Sequence, residues 1–168
     1  MSFPNKVHQA HTFVLTYFDY DVSKLDLLYE AIDTSGLTGR QSNKRLALVG
    51  DGALDMAMKA AWYRTGEDKG GSSMNWLPRH KSDHATGVCS TWLSQLSNSR
   101  LAMIARWMEL GTYLILNPGH RGVVSEGTLA TSLEAIIGAI YIDCGENIST
   151  IETVMRTIAI DMPDPVTN

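Results

Sequence analysis

The sequence predicts an all-α domain, and three observations carry that expectation. Apolar residues recur at helical spacing over long stretches, glycines and prolines punctuate the chain between them, and no alternating apolar–polar run of useful length appears. No internal repeat is visible.

The elements follow in order. Ser23-Lys-Leu-Asp26 has the form of a capping box, whose side chains satisfy free amides of a first turn; it opens a helix toward Thr34, with Gly36 as its stop. From Asn43 to Arg64 there is no proline, and Leu46, Val49, Ala53, Met56 and Ala57 form one apolar stripe. Residues 66–86 change character, because Gly66, Gly70, Gly71, Ser72, Ser73 and Pro78 mark a loop excursion. Helical pattern resumes from Val88 to Glu109, with Trp92, Leu96, Leu101, Ile104, Ala105 and Met108 as core candidates, and Gly111 ends it. The short apolar piece Tyr113–Leu116 leads into the turn Asn117-Pro-Gly119. Leu129 to Ile142 is the most apolar helix, closed by Gly145. Ser149-Thr-Ile-Glu152 repeats the capping-box pattern and starts a last helix to Ile160, before Pro163 and Pro165.

With 168 residues the chain fits a single domain over 1–168, its core at about 25–158 and an insertion at about 66–86. A composition 44% hydrophobic and 19% charged is that of an ordinary soluble globule. The net charge of -4 and pI near 5.7 argue against a free-standing basic nucleic-acid binder, although net charge does not report a local basic patch. Cys89 and Cys144 are too few for a disulfide framework or zinc ribbon and are expected as reduced thiols. The N-terminal residues have neither a signal h-region nor an Arg-rich leader, and no apolar run approaches the ~18 residues of a membrane span. A soluble intracellular protein is expected, its compartment undetermined.

Two segments concentrate the chemistry. Asn43-Lys-Arg-Leu-Ala-Leu-Val-Gly-Asp51 and Leu129-Ala-Thr-Ser-Leu-Glu134-Ala-Ile-Ile-Gly-Ala-Ile-Tyr-Ile-Asp143 each place one acid in an apolar stretch. A buried carboxylate needs a partner, a hydrogen bond or a metal. In helical geometry Ala47, Asp51 and Asp55 share one face, and Ala130, Glu134 and Gly138 share another, with Thr131 alongside. Small neighbours leave room for a cation, a water or a second helix to approach each acid.

These residues resemble the ribonuclease III domain family. Asn43 to Leu54 is similar to its signature helix, whose pattern is close to Asn-Glu-Arg-Leu-Glu-Phe-Leu-Gly-Asp-Ala-Val-Leu, and Leu129 to Asp143 resembles its Glu-Ala-hydrophobic-Gly-Ala-Ile-Tyr-Leu-Asp helix. Leu27–Thr34 and Leu96-Ser-Asn98-Ser-Arg-Leu101-Ala agree in type and order, so the likeness covers roughly residues 25–158. It implies an all-α ribonuclease III-like helical bundle and a four-acid Mg2+ or Mn2+ site that cleaves double-stranded RNA. Asp51 and Glu134 match two of those acids, as catalytic and metal-binding positions. Where the other two are expected stand Ala47 and Thr131; Lys44 replaces the signature's first Glu, and His120 and Arg121 follow the turn where an acid is common. Two fewer carboxylates predict weak or absent metal binding. Asp55 is the one candidate to compensate, against a reading as a solvated helix residue; Asp51 and Glu134 read equally as residual metal ligands or as a retained structural pair.

The resemblance also implies a homodimer, with Leu48 at the position of an aromatic plug at the interface. Bacterial-type members carry a double-stranded-RNA-binding domain, and none is expected in this chain. His80 and His84, four apart, lack a convincing second ligand pair for zinc, and Arg79, His80 and Lys81 beside Trp76 offer an alternative contact to an RNA backbone. The excursion at 66–86 is longer than the family's segment and reads as a partner-binding loop. The sequence therefore predicts an RNA-associated domain, in RNA processing or a ribonucleoprotein, that is inactive or weakened as a nuclease. The rivals are an active endonuclease using Asp51, Asp55 and Glu134, and a protein-interaction module that has left RNA behind.

Overall fold

The computed structural model describes residues 3–37, 42–66 and 89–164. The excursion after Gly66, with Trp76, Arg79, His80, Lys81 and His84, lies outside the described residues, as does Pro165. The described elements are helices α1 (Phe3–Phe18), α2 (Leu25–Ile32), α3 (Lys44–Thr65), α4 (Asn98–Trp107), α5 (Glu126–Asp143) and α6 (Ile148–Thr157), with 3-10 turns at Ser94–Leu96 and Leu110–Thr112. The only β-type pairing among them is one parallel bridge between Asp33 and Ile115.

Helix α5 is the axis of the fold. Leu129, Leu133 and every residue from Ala135 to Ile140 are buried, as expected of a helix that is apolar all round. Helices α2, α3 and α4 pack against it, and α6 closes on α3. No element is expected at 3–18 in the reading above, yet Ala10, Phe13, Val14 and Phe18 stand at helical spacing, and α1 sends all four into the same core.

Several local expectations are corrected. Ser23 does not cap α2: its hydroxyl donates to Asp143 Oδ1 (2.8 Å) and its amide to Oδ2 (3.1 Å), tying the α2 entry to the end of α5. Nor does Ser149 cap α6; Asn147 Oδ1 accepts from the amides of Ser149 (2.9 Å) and Thr150 (3.3 Å), while Glu152 pairs with Arg64 (2.5 Å). Helix α5 starts at Glu126 rather than Leu129, because Ser125 Oγ accepts the Thr128 amide. The helix expected over 88–109 is broken at Ser97, whose extended backbone (ψ 146°) separates a 3-10 turn from α4. Helix α4 ends before Glu109, whose left-handed backbone (φ 57°) stops it two residues ahead of the expected Gly111. Helix α2 stops at Ile32, short of Thr34, because the extended Asp33 pairs with Ile115. Met56, placed in the α3 stripe, is 56% exposed, since it points roughly 80° round the helix from Leu46.

Candidate functional site

The site is set by a helix crossing without side chains. A Cβ on Gly50 of α3 would lie 1.9 Å from the Glu134 carbonyl oxygen and 2.8 Å from the Gly138 nitrogen of α5. Reciprocally, a Cβ on Gly138 would lie 2.1 Å from the Leu46 carbonyl oxygen. The two backbones therefore touch, and Asp51 and Glu134, each next to or within that contact, are brought into one site. Glu134 is half-buried, and burial first, then the negative charge of Asp51, pushes its carboxyl up to about 7. Asp51 faces solvent.

The other sequence-derived positions divide. Ala47 is buried on α3 and contributes only a methyl group. Thr131 is half-buried one turn before Glu134. Asp55 does not join the pair: its Oδ2 accepts from Lys59 Nζ at 2.5 Å, and that bond raises the lysine's pKa. Leu48 is 75% exposed and shares the outer face of α3 with Met56 and Tyr63. Among the described residues no three His, Cys, Asp or Glu side chains converge as a metal cluster.

A cavity of about 460 Å³, lined by neither acid, lies at the first turns of α3 and α5 and the turn around Pro118. Lys44, Thr131 and His120 line it, together with Ser42, Asn117 and Thr128. The sequence pointed to the first three singly and gave no sign that they meet. Its wall is held by Asn43, the buried first residue of the signature segment. Asn43 Nδ2 donates to the Ala31 carbonyl (3.3 Å) and to Ser132 Oγ (3.2 Å), so one amide joins α2, α3 and α5. A second junction was also unread in the sequence. The Asp143 carboxylate accepts from Tyr20, from Ser23 twice and from the Lys24 amide. Burial would push that carboxyl up, but these bonds outweigh it and hold it low, while burial and Asp143 raise the Tyr20 phenol.

Comparison with known proteins places this architecture. A family model described as ribonuclease-III-like matches residues 29–161. Ribonuclease 3 of Borreliella afzelii is 30% identical over 138 residues, covering 77% of this chain and 51% of that protein. Ribonuclease 3 of Shewanella oneidensis is 34% identical over 127 residues, covering 74% and 50%. The chain thus spans about half the length of the curated relatives it matches. Among solved structures, a nuclease domain of ribonuclease III from Campylobacter jejuni, described for flexibility in a region involved in dimer formation, superposes with a TM-score of 0.65 at 21% identity, covering 87% of this chain and 94% of that one. A second structure of that domain gives 0.64 at 22%, covering 94% and 95%. On the family model and these relatives, the chain belongs to the ribonuclease III-like family.

Proposed function

We propose that the chain is an RNA-associated ribonuclease III-fold domain, acting as a homodimer, in which cleavage of double-stranded RNA is lost or strongly weakened. The observation that carries this reading is the donor set. Mg2+ takes near-octahedral hard-oxygen ligands, and a four-acid centre supplies them as carboxylates. In this chain the position at Ala47 is a buried methyl and that at Thr131 a neutral hydroxyl. The residues present do not fit a four-carboxylate metal centre.

A further observation supports the reading. Asp55 is engaged by Lys59, which argues against a rearranged three-acid site. Losing one preorganised group that stabilises transition-state charge costs about 3–4 kcal/mol, so two such losses remove most of the rate enhancement.

The dimer reading is supported by the exposed strip of Leu48, Met56 and Tyr63 on α3, an apolar face suited to a second copy, and by the dimer-forming region described for the Campylobacter domain. The RNA reading is supported by the relatives' name, ribonuclease 3. The test is incubation of the purified chain with long double-stranded RNA in Mg2+ or Mn2+. Binding without cleavage is expected; cleavage abolished by Asp51→Asn overturns the reading, and no binding at low salt favours a protein-interaction role instead.

A further inference from the structure

We infer that the cavity between the first turns of α3 and α5 binds a phosphate group directly, through Lys44, His120 and the hydroxyls of Ser42, Thr128 and Thr131. The inference rests on the reading of a broken metal centre and adds what has replaced it. Lys44 and Thr131 stand where the family resemblance leads one to expect acids, His120 follows the turn where an acid is common, and these residues, up to 87 apart in sequence, line the same cavity. At two of these positions a carboxylate gives way to a cation or a neutral donor. An acidic pocket needs a metal ion between itself and a phosphate. A pocket lined by an ammonium and hydroxyls donates to the phosphate oxygens itself.

The rest of the lining agrees. No carboxylate is among the described lining residues, and Lys44 forms no ion pair among the described residues. His120 Nε2 donates to the Gly122 carbonyl oxygen at 3.1 Å, so the second ring nitrogen donates to a phosphate oxygen only as an imidazolium. Gly127 also borders the cavity, and a Cβ there would meet nothing within 4 Å, so a ligand reaches the backbone of the first α5 turn unobstructed. The positive end of that helix adds to the attraction. A volume of about 460 Å³ accommodates a nucleotide-sized group. The shared chemistry is a phosphate monoester or diester, whether on an RNA strand or on a free nucleotide.

Calorimetric titration of the purified chain with inorganic phosphate, adenosine 5′-monophosphate and adenosine tests the inference. Phosphate and the monophosphate should bind, with adenosine about tenfold weaker or worse. Lys44→Glu should weaken monophosphate binding by about tenfold or more, and Lys44→Arg should retain it. Lys44 is exposed, and circular dichroism checks that both variants remain folded. Competition then separates the sources. Displacement of the monophosphate by a 5′-phosphorylated duplex alone assigns a strand end, displacement by 5′-hydroxyl duplex as well assigns the backbone, and displacement by neither assigns a free nucleotide. Equal affinity for adenosine and its monophosphate, or unaltered phosphate binding by folded Lys44→Glu, overturns the inference. Duplex cleavage by the wild-type chain sinks the reading of a lost metal centre instead, so the two failures are distinguishable.

Discussion

Glu134 makes its environment measurable. Its carboxyl is raised from the ordinary glutamate range to about 7, so the folded chain binds a proton that the unfolded chain has released. Stability from this group is fully present below about pH 4.5 and is lost as pH rises through about 7. Discounted for a side chain that is only half-buried, the effect is about 1–2 kcal/mol. Urea unfolding at pH 5 and pH 8 should therefore give a less stable protein at pH 8, and Glu134→Gln should flatten the difference. An unchanged pH dependence in the variant would remove Glu134 from the account. Asp51 and Glu134 were legible as a pair from motif placement. The raised carboxyl was not, because burial is a property of the helices packed around a residue rather than of its neighbours in sequence.

At the scale of elements, the α3–α5 crossing and the α6 cap make opposite demands on small side chains. Gly50→Ala sets a Cβ against backbone, which cannot rotate away, and should cost about 3 kcal/mol or more, or prevent folding. Gly52, two residues on, has nothing within 4 Å of an added Cβ, so Gly52→Ala should stabilise by about 0.5–1 kcal/mol by restricting the unfolded chain. Thermal unfolding of the two variants compares them directly. At α6, Asn147→Ala should cost about 1 kcal/mol, whereas Ser149→Ala should change stability by less than about 0.5 kcal/mol. The reverse ranking would restore the Ser149 capping box. The two capping boxes in the sequence failed for different reasons: the Ser23 hydroxyl is taken by the distant Asp143 carboxylate, and at α6 Asn147 already accepts the first-turn amides, which leaves Ser149 inside the helix.

For the whole molecule, the long helices and their order were legible because apolar periodicity and the two acid-bearing segments agree with one another. Helix α1 was missed although Ala10, Phe13, Val14 and Phe18 stand at helical spacing, since no motif draws attention to it, and the cavity was not legible, since it is made by loops and helix ends far apart in sequence. Assembly belongs to this scale. If α3 faces a second copy through Leu48, then Leu48→Glu should raise the dimer dissociation constant by about tenfold or more in sedimentation experiments, without altering the monomer's helix content. A monomeric wild-type chain would refute the dimer.

The glycine contact between α3 and α5 has a historical corollary. With Gly50 and Gly138 holding the two backbones together, neither helix can turn about its own axis, so the angular setting of residues 47, 51, 131 and 134 does not depend on which side chains occupy them. A lineage can exchange two acids for an alanine and a threonine and leave the scaffold's aim untouched. Ala47→Glu with Thr131→Asp should therefore place four carboxylates on a scaffold whose setting is already fixed, with dependence of RNA cleavage on added Mn2+ as the sign that the setting suits a metal centre.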